Sequence, residues 1–98
     1  NYKNINIGIL GISYKSNTDD IRESPAVEFL KILKEKKFKN IFFHDPFNKY
    51  ISIKSIHYKN LNSIVSESDC LIKLVNHKDY NKIKHDKKLF LSIDNYFE

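Results

Sequence analysis

The sequence predicts a single small α/β domain, doubly wound, with a mainly parallel sheet and helices on both faces. Short β-branched runs alternate along the chain with stretches of helical periodicity, a pattern typical of strand–helix–strand units. Such units are joined by right-handed crossovers, which place successive strands parallel. The 98 residues, of which 41% are hydrophobic and 30% charged, suit one globular domain that spans positions 1–98.

The first half of the chain predicts a strand, a long loop and a helix. Ile5–Leu10 is a β-branched run that ends at Gly11 and reads as a strand. Ser13–Glu23 has no apolar period, so we expect a loop. Ser24 is a good N-cap and Pro25 suits the first helical position. The helix that follows has one apolar stripe at helical spacing, made of Ala26, Phe29, Leu30 and Leu33.

The second half continues the alternation with shorter elements. The expected elements, in chain order, are a strand at Ile41–Phe43 stopped by His44-Asp45-Pro46, a short strand within Ile51–Tyr58, a short helix from Leu61 to about Ser68, a buried strand at Asp69–Val75, a short helix capped by Asn76 and running through Ile83, and a last strand at Leu89–Ile93. In a parallel sheet of this kind, a ligand binds outside the carboxyl ends of the strands. The Ser13–Glu23 loop follows the first strand and is therefore expected at that edge.

The charge of the chain does not predict a nucleic-acid partner. The net charge is +5, but 16 of the 17 basic residues are Lys and only Arg22 is Arg. Nucleic-acid readers usually exploit the Arg fork, so we interpret the lysines as solvated surface residues. No apolar run reaches the roughly 18 residues that a membrane span needs, and no signal peptide is visible. We therefore expect a cytoplasmic protein without a membrane or nucleic-acid partner; the absence of any Met favours a piece of a longer protein.

Cysteine and histidine do not predict a metal site or a nucleophile. Cys70 lies within an apolar run and is expected to be a buried core thiol. The four histidines have no metal-ligand spacing with one another or with Cys70; they are His44, His57, His77 and His85. Four aromatic residues are expected in the core rather than as stacking platforms: Phe42, Phe43, Tyr58 and Phe90.

The segment Gly11–Ala26 carries most of the predicted chemistry. It is rich in polar side chains and ends at a helix N-terminus, where free N–H groups favour anions. Lys15 offers a point charge to a phosphate, and Arg22 offers a planar fork to a phosphate or carboxylate. Asp19 and Asp20 could orient either cation. A surface loop with solvated charges remains the alternative interpretation.

The glycines of the first strand do not form a dinucleotide-binding fingerprint. That fingerprint needs Gly-x-Gly-x-x-Gly, whereas Gly8 is followed by Gly11 and then by no third glycine. The same stretch does not match the P-loop of nucleoside triphosphatases. The first turn is therefore not predicted to bind a dinucleotide.

The stretch Gly11–Ala26 resembles the signature that opens the C-terminal domain of the UDP-glucose/GDP-mannose dehydrogenase family. The signature contains an aromatic-Lys pair, Thr-Asp-Asp, an aliphatic residue, Arg, and Ser-Pro-Ala, and all of these occur here in the same order. The turn His44-Asp45-Pro46, the segment Ser68–Tyr80 and the last strand, Ser92–Asp94, resemble later parts of the same domain. The resemblance covers nearly the whole chain and implies a Rossmann-like fold.

The resemblance implies a role for particular residues of the loop. Family enzymes oxidise the C6 alcohol of a UDP-sugar or related nucleotide sugar to a carboxylate in two NAD-dependent steps. Tyr14 and Lys15 correspond to the pair that contacts the nucleotide sugar, and Arg22 to the position that reaches toward NAD. The Thr18-Asp19-Asp20 stretch is interpreted as shaping the loop and bracing Arg22.

The resemblance also implies that this chain is one part of an enzyme. NAD would be bound mainly by an N-terminal domain, a central domain would supply the catalytic Cys and a homodimer interface, and the isolated chain would be inactive, with no catalytic residue of its own. Tyr96 stands where many members carry an Arg, which leaves open a glucose, N-acetylated hexosamine or mannose type of sugar. A stand-alone module that binds nucleotide sugars or mediates association is the alternative function. A nucleic-acid-binding domain is a third hypothesis, favoured only by the basic pI of about 9.3.

Overall fold

The computed structural model describes residues 4–13, 21, 24–49, 53, 56–83 and 89–92. The elements, in chain order, are strand β1 (Asn6–Leu10), helix α1 (Pro25–Glu35), strand β2 (Asn40–His44), strand β3 (His57–Tyr58), helix α2 (Leu61–Glu67), strand β4 (Cys70–Lys73), a 3₁₀ helix (Lys78–Lys82) and strand β5 (Leu89–Ser92). The predicted alternation of strands and helices is confirmed.

The strands form one parallel sheet in the order β3-β2-β1-β4-β5. Central β1 pairs with β2 on one side and β4 on the other, so that Ile7 lies opposite both Ile41 and Cys70. The chain moves outward from β1 in one direction through β2 and β3, then returns and moves in the other direction through β4 and β5. This order is that of a doubly wound, Rossmann-like sheet, with its switch point between β1 and β4.

One face of the sheet packs against α1. Ile7 and Ile9 of β1 point to this face, where they join Ala26 and Leu30 of α1 and the fully buried Phe43 of β2 in one core cluster. The apolar stripe predicted for the helix therefore faces the sheet.

The opposite face packs against α2 and the 3₁₀ helix. Leu10, Ile64, Leu71 and Tyr80 form a second buried cluster there. Gly8 lies beneath α2, and a Cβ at this position would lie 2.8 Å from Ile64 Cγ1 and 2.9 Å from Leu71 Cδ2. Glycine therefore lets α2 approach the sheet closely. Helices cover both faces, as predicted.

Helix α1 begins as its sequence predicts. Ser24 is the N-cap with an extended backbone, and its Oγ accepts a hydrogen bond from Ala26 N at 3.2 Å. Pro25 occupies the first helical position, where its missing N–H removes no helical hydrogen bond. Lys37 follows the helix with φ of 66° and ends the turn.

Three expected elements differ from the structure. The helix predicted from Asn76 to Ile83 is a 3₁₀ helix of five residues, and His77 rather than Asn76 occupies its N-cap position, without a side-chain capping bond. The strand expected within Ile51–Tyr58 includes only His57–Tyr58 among the described residues. The strand expected at Asp69–Val75 is shorter, because after Lys73 the chain bends over Leu10, whose carbonyl accepts from Leu74 N at 2.9 Å.

The predicted core residues are buried or half-buried. Cys70 is 7% exposed, and burial raises the pKa of its thiol. Phe43 is fully buried, whereas three other aromatic side chains pack against the two clusters from partly exposed positions: Phe42, Tyr58 and Phe90. No helix in the described part of the chain is long and apolar enough to cross a membrane.

Candidate functional site

Buried polar side chains close the carboxyl edge of the sheet. Ser13 follows β1, Asp45 follows β2 and His77 follows β4, and all three are almost completely removed from solvent. In a parallel sheet, the carboxyl ends of neighbouring strands meet at one edge, so these positions converge although 64 residues separate Ser13 from His77. This polar cluster lies at the switch point, where an α/β fold of this type binds its ligand.

The carboxylate of Asp45 is the centre of the cluster. Its Oδ2 accepts from the backbone N–H of Ile12 at 2.9 Å and of Ser13 at 3.1 Å. Its Oδ1 accepts from Phe47 N at 2.9 Å and from Asn48 Nδ2 at 3.1 Å. The first pair of bonds ties the end of β1 to the end of β2, and the second pair shapes the turn that holds the carboxylate.

The hydrogen bonds around Asp45 keep it ionised. Burial alone would raise its pKa, because a buried carboxylate loses its hydration. The bonds from His77 and from the Ile12 and Phe47 amides outweigh burial, and together with the charge of His77 they lower the pKa of Asp45 from 3.8 to about 2. Asp45 is therefore a fixed negative charge at neutral pH.

His77 links Ser13 to Asp45. Its Nε2 lies 2.8 Å from Ser13 Oγ and 3.2 Å from Asp45 Oδ2. An ionised carboxylate can only accept, so Nε2 carries the hydrogen and presents it to both oxygens. A serine nucleophile needs a histidine nitrogen that can take its proton, with the carboxylate on the other ring nitrogen. Here both partners share Nε2, so the three residues form a structural clamp and not a catalytic triad.

Ser24 holds the other end of the loop against the same place. Its hydroxyl donates to the Ile12 carbonyl oxygen at 2.6 Å, while its backbone N–H donates to Ile21 O at 3.2 Å. Ile12 is thus held by Asp45 through its N–H and by Ser24 through its carbonyl. The segment that contains the predicted ligand-binding residues therefore begins and ends at one fixed point on the carboxyl edge.

Gly11 is required by the close approach of the loop after β4. Its φ is 91°, a backbone conformation that L side chains rarely adopt, and its N–H donates to His44 O at 2.8 Å. A Cβ at Gly11 would lie 2.7 Å from Val75 Cβ and 3.0 Å from Val75 O. The space left by the missing side chain is therefore filled by the protein itself.

A second buried pair, His44 and Tyr80, fixes the 3₁₀ helix beside the clamp. His44 Nδ1 lies 3.0 Å from the Tyr80 hydroxyl, which also donates to His44 O at 3.0 Å. Burial lowers the pKa of His44, although the charges of Asp45 and Asp79 oppose the change. Burial likewise raises the pKa of Tyr80 well above its usual value. This pair is neutral at physiological pH, and Tyr80 also hydrogen-bonds with the backbone of Gly11 and lies edge-on to the ring of His77.

The predicted ligand-binding residues lie outside the described residues. This holds for Tyr14 and Lys15, for the Thr18-Asp19-Asp20 stretch, for Arg22, and for Tyr96 near the chain end. Their roles remain predictions. The structure describes the frame of the site, which consists of the residues that hold the two ends of the loop: Ile12, Ser13, Ser24, Asp45 and His77. The described residues include no group of three or more His, Cys, Asp and Glu side chains that could hold a metal ion.

The polar cluster was missed by the sequence interpretation. The sequence predicts no metal-ligand spacing for His77 and a turn at Asp45, and the family resemblance covers both segments without implying a role for either residue. One signal could have found them: each follows a predicted strand directly or within a few residues, and carboxyl ends of neighbouring parallel strands share an edge.

The chain matches the sequence model of a known protein family over most of its length. Residues 8–95 match the model described as the UDP-glucose/GDP-mannose dehydrogenase family, UDP binding domain. The match includes β1 from Gly8 onward, the loop and every later element described above.

Individual relatives show the same likeness over part of their length. The chain is 29% identical over 83 residues to an NDP-N-acetyl-D-galactosaminuronic acid dehydrogenase of Ralstonia solanacearum, which is 83% of this chain and 20% of the relative. It is 44% identical over 59 residues to a UDP-glucose 6-dehydrogenase of Rickettsia felis, covering 60% of this chain and 13% of the relative.

A solved structure shows the same fold. The UDP-glucose dehydrogenase of the hyperthermophilic archaeon Pyrobaculum islandicum superposes with a TM-score of 0.79 at 24% identity, covering 91% of this chain and 22% of that protein. The matched part of the chain therefore spans between 13% and 22% of the length of these relatives.

Proposed function

The chain belongs to the UDP-glucose/GDP-mannose dehydrogenase family, and we propose that it is the nucleotide-sugar-binding domain of a longer, NAD-dependent UDP-sugar 6-dehydrogenase. The observation that carries the proposal is the match of residues 8–95 to the family's UDP-binding domain. The geometry supports it, because the loop with the family signature starts and ends at the switch point of the sheet.

The proposed binding chemistry is that of a cationic loop facing a diphosphate. Lys15 supplies a charge to the nucleotide sugar and Tyr14 a contact surface, while the Thr18-Asp19-Asp20 stretch shapes the loop. A net charge of +5 adds a general attraction for phosphorylated ligands. The role of the frame is to fix the two ends of the loop. Ligand binding then loses less conformational entropy, because the loop ends are already ordered.

The described turn after β1 does not fit NAD. A dinucleotide pyrophosphate needs a glycine turn with open space and free backbone N–H groups. Here Val75 fills the space at Gly11, and the N–H groups of Ile12 and Ser13 are bonded to Asp45. We therefore assign the NAD site to the rest of the longer protein, and Arg22 is the residue of this chain proposed to reach toward it.

The reaction assigned to the longer protein is oxidation of the sugar C6 alcohol to a carboxylate. This oxidation takes one oxygen from water, transfers two hydrides and releases three protons, and two molecules of NAD are the proposed hydride acceptors. The contribution of this chain is to bind the nucleotide end of the substrate, which leaves the C6 alcohol for the other domains. Two nucleophilic side chains near the carboxyl edge and the sheet already have structural places, because Cys70 is buried in the sheet and Ser13 bonds to His77 in the clamp.

The proposal is tested with the full-length protein that contains this chain. NADH formation is measured with UDP-glucose, a UDP-N-acetylhexosamine and GDP-mannose in turn. We expect NADH with at least one UDP-sugar, and none from the 98-residue chain alone. A full-length protein that binds UDP-sugars but forms no NADH would instead support a binding module without catalysis.

Lys15→Ala tests the proposed contact within the same assay. Loss of one charge-assisted hydrogen bond costs about 1.5–3 kcal/mol, so kcat/KM for the UDP-sugar should fall by about 10- to 100-fold. Lys34→Ala is the matched control, since Lys34 is exposed on α1. An equal kcat/KM for Lys15→Ala and the control would remove Lys15 from the site.

A further inference from the structure

We propose that His77 is a positioning residue for nucleotide-sugar binding: it fixes Ser13, the residue that precedes the Tyr14-Lys15 pair, against Asp45. The inference rests on the proposed function, and it adds a residue from a different part of the chain to the binding machinery. His77 does not touch the ligand in this proposal. It acts through the position of the loop.

The geometry of His77 is that of a clamp between two strand ends. The side chain is 0% exposed, and a single ring nitrogen contacts both Ser13 Oγ and Asp45 Oδ2. Ser13 follows β1 and Asp45 follows β2, whereas His77 comes from the segment after β4. The imidazole of His77 therefore connects the segment after β4 to Ser13, where the loop starts.

The ring of His77 is itself held from several sides. Phe47 packs on it at a centroid distance of 5.5 Å, and Tyr80 lies edge-on at 5.7 Å. Its backbone N–H donates to Val75 O at 3.1 Å, and its carbonyl accepts from Tyr80 N at 3.1 Å. A side chain fixed in this way can transmit its position to Ser13.

The position of Ser13 controls the proposed contacts because little chain separates them. Lys15 is two residues from Ser13, which allows at most about 7–8 Å of backbone between their Cα atoms. If Ser13 is free to move, the cation must be ordered when the ligand binds, and that ordering weakens affinity. The Asp45 bonds to the backbone of Ile12 and Ser13 hold the main chain, while His77 holds the Ser13 side chain and orients the carboxylate.

Two substitutions separate the hydrogen bond from the volume of the ring. His77→Gln can place an amide N–H near the position of Nε2 and keep a donor to Asp45 and Ser13. His77→Leu fills similar space without any donor. We expect His77→Leu to raise the Kd for the UDP-sugar, and for UDP itself, by about tenfold, the effect of one lost net hydrogen bond. His77→Gln should restore the Kd to within about threefold of the wild type.

His44→Leu is the matched control for stability. His44 is also a buried histidine at the carboxyl edge, but among the described residues its ring bonds to Tyr80 and not to Ser13 or Asp45. We expect His44→Leu and His77→Leu to lower the Tm of the full-length protein by similar amounts. Only His77→Leu should raise the Kd, and it should also speed amide hydrogen exchange in the peptide that contains Ile12 and Ser13.

The outcomes separate the inference from the proposed function. A wild-type protein that binds neither UDP nor any UDP-sugar would overturn the proposed function. Wild-type binding that is unchanged in folded His77→Leu would overturn the positioning role alone. The role would also be overturned if His44→Leu and His77→Leu raised the Kd equally, because loss of stability would then explain both. Failure of His77→Gln to recover affinity would remove the hydrogen bond as the cause.

Discussion

Asp45 and Asp69 make the same kind of hydrogen bond at opposite ends of β1, in opposite surroundings. Asp69 Oδ2 accepts from Asn6 N at 2.8 Å at the exposed amino end of the strand. Asp45 Oδ2 accepts from Ile12 N at 2.9 Å at the buried carboxyl end. The distances are nearly equal, so bond length does not distinguish the two carboxylates.

Burial gives the two bonds different weight. An exposed carboxylate that loses a backbone partner can turn to water, so the net value of its bond is small. Asp45 is 0% exposed, and four of the five donors around its two oxygens form buried bonds that water cannot replace: the N–H groups of Ile12 and Ser13, Asn48 Nδ2 and His77 Nε2. The fifth donor, Phe47 N, is part-buried. The stability of the carboxyl end of β1, where the loop starts, therefore depends more strongly on its carboxylate than that of the amino end does.

The largest effect that tests this comparison is expected for Asp45→Asn. Both carboxylate oxygens face donors, so the new NH₂ group meets N–H groups whichever way the amide is turned. Buried donors left without an acceptor cost about 1–3 kcal/mol each, and we expect a total loss of about 3 kcal/mol in the free energy of unfolding. Urea unfolding of the wild type and the variant measures the loss.

Asp69→Asn is the paired control for this prediction. It makes the same chemical change at the exposed end of β1, where water can satisfy the freed groups, and should cost less than about 1 kcal/mol. Equal losses for the two variants would mean that burial does not set the weight of these bonds. The two ends of β1 would then depend equally on their carboxylates.

The fold could be predicted from the sequence because its signals are local. Ser24 and Pro25 mark the start of α1 through the chemistry of a helix N-terminus, and the β-branched run that ends at Gly11 marks β1. The error at Asn76 also has a local cause. Asn is a good N-cap residue, but the N–H groups of Leu74 and Val75 bond to the Leu10 carbonyl and hold the preceding residues against β1, and the helical turn begins after His77.

The frame of the site could not be predicted to the same degree, because its bonds are not local. Asp45 lies 32 residues from both Ser13 and His77. Neither propensity nor periodicity carries information on a polar pair at that separation. The carboxyl-edge rule could have placed Asp45 and His77 in one neighbourhood. Their burial and the shared Nε2 become visible only when the strands are assembled.

The negative charge of Asp45 makes the stability of the folded protein depend on pH. Its pKa is lowered from 3.8 to about 2 in the folded protein, so folding favours the ionised form. The resulting stabilisation is fully present above pH 3.8 and is lost as the pH falls toward 2. The difference between the two pKa values corresponds to about 2 kcal/mol.

The free energy of unfolding of the wild type and of Asp45→Asn is measured from neutral pH down to the folded-state pKa of Asp45, about 2. The stability difference between the two proteins should shrink by about 2 kcal/mol as Asp45 becomes protonated in the wild type. Asp69→Asn provides the reference for the other carboxylates. A stability difference between wild type and Asp45→Asn that stays constant down to about pH 2 would contradict the lowered pKa of Asp45.

The smallest expected difference concerns the two helix N-caps, which repeat the contrast of buried and exposed bonds. Ser24 Oγ accepts from Ala26 N and donates to Ile12 O inside the protein, whereas Asn60 Oδ1 accepts from Ser63 N at 2.9 Å at an exposed position. Loss of a cap costs about 1 kcal/mol, and Ser24→Ala should cost about 1.5 kcal/mol because the buried Ile12 carbonyl also loses a donor.

Amide exchange distinguishes the two caps more sharply than stability does. Ser24→Ala should speed exchange in the peptide that contains Ile12 and Ser13, because Ser24 holds Ile12 from the helix side. Asn60→Ala should leave that peptide unchanged while it destabilises α2, which begins on the opposite face of the sheet. If both variants speeded amide exchange at Ile12 equally, that exchange would depend on the stability of the whole domain. If only Ser24→Ala does so, the buried bonds at the carboxyl edge act on the loop specifically.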